Sequence, residues 1–125
     1  MPVHDLAKVV VYSGDKGYGM LVLPADYALD LKEVCRLLGL IDVRLASESE
    51  LMEVFTGCEA GAMPPFGNFY GIPVLLDETV SKSEYIVFTA GTHCDVVRMR
   101  VADFQRLVNP RVASFAVKTQ ELAAA

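Results

Sequence analysis

The chain has 125 residues, 53% hydrophobic and 22% charged, which suits one domain around one core and excludes a disordered polypeptide. Eleven basic residues against sixteen acidic ones leave a formal charge of −5; this excludes a general nucleic-acid coat or DNA-binding protein, whose phosphate contacts call for a basic surplus, and leaves open a local pocket for one nucleic-acid end. No apolar run approaches the roughly 20 residues that cross a bilayer, and Met1-Pro2-Val3-His4-Asp5 has no basic segment leading into an apolar one, so no membrane partner and a cytoplasmic location are expected.

Residues 8–12 and 18–23 read as strands, joined by the turn Ser13-Gly14-Asp15-Lys16-Gly17 into an antiparallel hairpin. Pro24-Ala25-Asp26 ends the second strand. Asp30 followed by Glu33 is a helix-capping signature, and Leu31, Val34, Cys35 and Leu38 form one apolar stripe that stops at Gly39. Residues 43–45 predict a short strand. Ser47 with Glu50 repeats the capping pattern ahead of a helix over about residues 48–55, which would bury Leu51, Val54 and Phe55.

Residues 56–67 hold three glycines and two prolines and fit neither helix nor strand. Such a segment is either a connector or a functional loop. Strands follow at 74–76, 85–89 and 96–100, then a helix at 102–108 with Phe104, Leu107 and Val108 as its apolar side and no good capping residue. Asn109-Pro110 stops that helix. Residues 112–117 form a last short strand or a packed extension, and 119–125 read as a frayed tail. The expected fold is a compact mixed α/β domain with a largely antiparallel sheet and about three packed helices. The lack of a regular βαβ repeat argues against a doubly wound dinucleotide fold.

Several residue types carry candidate chemistry. Lys8 interrupts an apolar run and could present a cation to a phosphate, carboxylate or carbonyl oxygen; it could equally guard a strand edge. Gly61-Ala62-Met63-Pro64-Pro65 could offer main-chain groups to a small ligand, or could be a rigid turn around a core-facing Met63 or Phe66. It is not a phosphate loop, since the Lys-Ser/Thr ending is missing. His93, Cys94 and Asp95 are consecutive, and on an extended strand neighbours would face opposite sides, so a relay among them is disfavoured. His93 and Asp77 are each either a group at the edge of a site or a turn cap. Cys35 reads as a core thiol, and nothing near Cys58 in the sequence would activate it. The three cysteines are odd in number and widely spaced, so neither a disulfide scaffold nor a metal site is expected.

The distributed pattern resembles the YbaK/EbsC family, also called the prolyl-tRNA synthetase-associated editing domain. It is carried by Ala7-Lys8-Val9-Val10-Val11, Val22-Leu23-Pro24-Ala25-Asp26, Leu45-Ala46-Ser47-Glu48, the stretch from Gly57 to Gly67, Ile72-Pro73-Val74-Leu75-Leu76-Asp77, Ala90-Gly91-Thr92-His93 and Ala102-Asp103-Phe104. The resemblance implies an editing domain over 1–118, shortened at its N-terminus. The implied activity is hydrolysis of the ester linking a small, wrongly attached amino acid to tRNA, without a cofactor. Lys8 matches the family's strand lysine and Gly61 begins its GxxxP loop, which implies catalytic roles for both. Ala62, Met63, Pro64 and Pro65, with His93 and Asp77, are the implied substrate-binding residues. The implied partners are the acceptor end of a mischarged tRNA, an aminoacyl-tRNA synthetase and a second copy of the chain. The alternative is a catalytically silent module that binds an aminoacyl or nucleotide-like group.

Overall fold

The computed structural model describes residues 5–59 and 62–118; the 119–125 tail, Gly61 and His4 lie outside the described residues. Strands β1 (Ala7–Gly14) and β2 (Gly17–Pro24) pair antiparallel without a bulge, from Ala7 opposite Pro24 to Gly14 opposite Gly17. Side chains alternate across such a strand, so the register sorts the apolar residues onto two faces. Val11, Met20 and Val22 enter one core cluster; Tyr12, Leu21 and Leu23 enter another.

β3 (Tyr27–Leu29) follows, then helix α1 (Leu31–Leu38). Asp30 accepts the Glu33 N–H at the start of α1, as the spacing predicts, and Gly39 closes its end. Val34 of α1 is fully buried in the second cluster, with Leu31, Leu37 and Leu38 around it. β4 (Val43–Leu45) pairs with the end of β1. Helix α2 (Glu48–Val54) carries the complete capping box, with Ser47 and Glu50 bonding reciprocally.

A 3₁₀ turn (Gly67–Tyr70) leads to β5 (Val74–Asp77), the short helix α3 (Glu78–Ser81), the antiparallel pair β6 (Tyr85–Thr89) and β7 (Val96–Arg100), and helix α4 (Val101–Val108). β8 (Arg111–Ala113) and β9 (Ala116–Lys118) complete the described elements. The main sheet runs β4-β1-β2-β5-β8. Its β5 contacts are parallel on both sides, while the remaining strand pairs are antiparallel. The fold is therefore mixed α/β and largely antiparallel, as expected.

Four local features differ from the sequence expectations. Residues 27–29 form a strand because β9 returns to pair with them, a partner nearly ninety positions away that no local pattern announces. The stretch 112–117, expected as one short strand or a packed extension, belongs to two strands, broken where Phe115 turns into the core at 2% exposure. Glu78–Ser81 form α3, a helix too short to show periodicity, capped by Asp77 in line with the turn-cap reading of that residue. Leu107, expected on the apolar side of the last helix, is 58% exposed, while residues 93 and 94 lie in the turn between β6 and β7. Among the described residues no helix is long and apolar enough to cross a membrane.

Candidate active site

The irregular segment is held by what it touches. Phe66 stacks on Phe69 at 5.6 Å and meets Phe88 of β6 and Phe104 of α4 edge-on at 5.5 and 5.8 Å. Such offset and edge-to-face contacts add about 0.5–1.5 kcal/mol each beyond area burial. Ala62 and Met63 are 0% and 2% exposed. Pro65 is buried and Pro64 half-buried. The glycine- and proline-rich composition thus marks a segment pinned by its own apolar side chains.

The same segment is strapped to the end of β6. Glu59 N–H donates to the Gly91 carbonyl at 2.7 Å, and Gly91 N–H donates to the Ala62 carbonyl at 2.9 Å. Gly91 sits at φ 96°, a conformation that costs an L-residue strain. The Ala62 N–H returns to the Glu59 carbonyl, and the Glu59 carboxylate accepts the His93 N–H at 3.2 Å. Beyond Gly91, Thr92 organises the turn: its hydroxyl donates to the Asp95 carboxylate and accepts the N–H groups of Cys94 and Asp95.

Lys8 reaches this end of β6 from β1. Leu6, just before β1, forms an isolated parallel bridge with Val87 of β6, so Lys8, two positions on, shares the face of Leu6 and Val87 toward this end of β6. It stands opposite Leu23, is half-buried, and makes no ion pair among the described residues. Lys8 and the Ala62–Gly91 strap thus converge on the C-terminal end of one strand.

Not every residue singled out from the sequence has the placement expected of it. Met63 joins the first core cluster, on the sheet face opposite Lys8; its side chain anchors the loop, so only its main chain is available to a ligand. Asp77 is 1% exposed. Its carboxylate accepts the Phe115 and Ala116 N–H groups, each at 2.9 Å, and the Thr79 N–H and hydroxyl. With its lone pairs engaged beneath the β8–β9 connection, Asp77 is a structural clamp rather than a substrate-binding group. The N–H groups of Glu59, Ala62, Gly91 and His93 are already committed within the strap. Any donor the bend offers a carbonyl must come from its other peptide groups.

Glu59 was not singled out from the sequence, yet it ties the loop to both Gly91 and His93. A lone acidic residue between Cys58 and Ala60 carries no local signal of that role. Cys58 lies 3.7 Å from the Tyr70 hydroxyl, and this contact, together with burial, pushes the Tyr70 phenol above its ordinary pKa. Cys94 is exposed. Among the described residues no three His, Cys, Asp or Glu side chains converge as metal ligands.

Comparison with known proteins bears directly on this geometry. The family described as "Aminoacyl-tRNA editing domain" matches residues 1–107. The Multifunctional Ser/Thr-tRNA deacylase ProXp-y of Escherichia coli (strain K12) is 30% identical over 104 residues, covering 82% of this chain and 62% of that protein. The chain therefore spans under two thirds of this curated relative. A crystal structure of a proposed trans-editing enzyme for prolyl tRNA synthetase superposes with a TM-score of 0.82 at 28% identity, covering 91% of this chain and 71% of that one. A proposed signal transduction protein from Marinobacter aquaeolei VT8 gives the same TM-score at 25% identity, covering 96% of this chain but 26% of the other. With the match running from the Lys8 strand through the strap to α4, the chain belongs to the aminoacyl-tRNA editing domain family.

Proposed function

We propose that this protein hydrolyses the ester joining a small, wrongly attached amino acid to the 3′-terminal adenosine of a tRNA. The observation that carries this reading is a family match spanning both Lys8 and the Ala62–Gly91 strap. The name of the Escherichia coli relative, a Ser/Thr-tRNA deacylase, makes seryl and threonyl esters the first substrates to test.

In this reaction a water oxygen adds to the ester carbonyl and negative charge develops on the carbonyl oxygen. The carbon–oxygen bond to the ribose then breaks, and the ribose oxygen leaves with a proton. The products are the free amino acid and a tRNA with its terminal hydroxyl restored. The ammonium of Lys8 stabilises the developing oxyanion or the adjacent terminal phosphate, and main-chain groups of Gly61, Ala62 and Met63 hold the aminoacyl group. A free ribose hydroxyl of the adenosine orients the water, so no side-chain nucleophile is needed. Selection of the tRNA body falls in part to an aminoacyl-tRNA synthetase partner, and such work belongs in the cytoplasm.

The test is a deacylation panel: tRNAs charged with serine, threonine, alanine, cysteine and a bulky residue, incubated with the protein and with Lys8→Ala. Release of small amino acids by the wild type, lost in the variant, supports the reading. If the panel is untouched, the alternative of a silent aminoacyl-binding module takes its place.

A further inference from the structure

Among the described residues, five cations are tied to carboxylates: Arg36, Arg44, Lys82, Arg100 and Arg106. Arg98 is different. It is exposed and pairs with no carboxylate among the described residues; its guanidinium instead lies 3.7 Å from the centre of the Tyr85 ring. Arg100 approaches the same ring at 5.4 Å, and its ion pair with Glu84 is loose, at 3.4 Å, with both partners more than half exposed.

Strand pairing places these groups with Lys8. Tyr85 stands opposite Arg100, Val87 opposite Arg98 and Thr89 opposite Val96. By alternation all six share one face, while Ile86 and Phe88 turn into the first core. Leu6, immediately before β1, bridges to Val87 of that face, so by alternation Lys8 belongs to it too. With strands about 4.8 Å apart and about 3.4 Å per residue, regular continuation of the Leu6–Val87 bridge sets the Cα atoms of Lys8 and Arg98 roughly 12 Å apart, close enough for one extended polyanion to touch both side chains. Guarding the β7 edge against other strands would account for charge. It does not account for two arginines gathered over one aromatic ring, on the lysine's face, in a chain of net charge −5.

We infer that this face is the track along which a single-stranded RNA end approaches Lys8, with Arg98 and Arg100 taking its phosphates and the Arg98–Tyr85 stack offering a plane for an unpaired base. Arginine planes and aromatic rings are the groups on which splayed RNA bases stack. The inference rests on the deacylase reading for what happens at the end of the track, and binding can be measured apart from turnover.

The experiment uses fluorescence anisotropy with uncharged tRNA and with a short single-stranded RNA of the acceptor-end sequence, comparing the wild type with Arg98→Gln/Arg100→Gln across a salt series. The double variant should bind both RNAs about tenfold more weakly. Its log–log salt slope should be shallower by about 1.4, two phosphates at about 0.7 each for a single strand. In turnover, its kcat/KM should fall further for aminoacyl-tRNA than for aminoacyl-adenosine, which lacks the phosphates. Unchanged thermal unfolding checks that the exposed substitutions leave the fold intact. Wild-type affinity and salt slope in the double variant overturn the inference. Arginine-dependent RNA binding by a protein that deacylates nothing would sink the deacylase reading and leave this one standing.

Discussion

The carboxylate of Asp77 accepts the main-chain N–H of Phe115, 38 positions along the chain, at 2.9 Å. With the neighbouring Ala116 bond it fixes the turn that sends β9 back to β3. Removing the carboxylate leaves these amides without their acceptor in a site closed to water. Asp77→Ala should therefore destabilise the protein by about 3 kcal/mol, and Asp77→Asn, which keeps one acceptor oxygen, by less. Urea unfolding of the two variants checks the order. Equal stability of Asp77→Ala and wild type would remove the clamp role.

Lys8→Ala should lower kcat for deacylation by on the order of 10²-fold, the effect typical of losing one group that stabilises an oxyanion. Lys8→Arg keeps the charge but replaces a compact ammonium by a broad planar fork and should recover only part of the loss. Steady-state rates with a seryl- or threonyl-tRNA decide the matter. A rise in KM at unchanged kcat would instead assign Lys8 to ground-state phosphate binding.

Much of this fold is legible in the sequence because local chemistry and tertiary structure agree. The caps at Asp30 and Ser47 announce α1 and α2, and the runs at 8–12 and 18–23 announce the central hairpin. What stays hidden depends on distant partners: β3 exists through β9, and α3 through a buried Asp77. In the site, Lys8 and the glycine–proline bend stand out because a cation in an aliphatic strand and a stretch of strong helix breakers are both locally anomalous. Asp77 is misleading for the opposite reason, since an acidic residue at a strand end looks the same in sequence whether it faces a ligand or a buried turn. Glu59 and Arg98 carry no local anomaly; only strand register and loop closure give them roles.

Tyr12 lies across Gly19, its cross-strand partner; a methyl group built on Gly19 would come within 2.1 Å of the phenol carbon and oxygen. Gly19→Ala should therefore cost about 1–3 kcal/mol through overpacking. Combining it with Tyr12→Leu should recover part of that loss, because the obstructing ring is gone. A double-mutant cycle by thermal unfolding measures the coupling, and strictly additive effects would contradict the contact.

Glu50 joins three elements. It bonds Arg44 of β4 at 2.6 and 2.9 Å, accepts the Tyr18 hydroxyl of β2 at 2.9 Å, and closes the α2 capping box through the Ser47 N–H. Arg44 first, then the Ser47 amide and Tyr18, hold its carboxyl well below the ordinary carboxylate value of 4.5. A depressed folded-state pKa means the unfolded chain binds more protons in that window. The contribution to stability is therefore complete above pH 4.5 and is lost as the pH falls toward the folded pKa. Glu50→Gln should lose stability relative to wild type at neutral pH, and the gap should narrow on acidification below 4.5. Urea midpoints taken along a pH series give the test; a gap that widens toward acid would reverse the sign.

Phe66 ties the 62–66 bend to β6 and α4 at once, through Phe88 and Phe104. A bend moored this way opens only when aromatic core contacts are broken, so its shape shares the cooperativity of the domain. Amide exchange at Gly91 should then follow the unfolding of the whole molecule. Substitutions on the buried side of α4 should therefore change the selectivity of the proposed deacylation without touching an aminoacyl group.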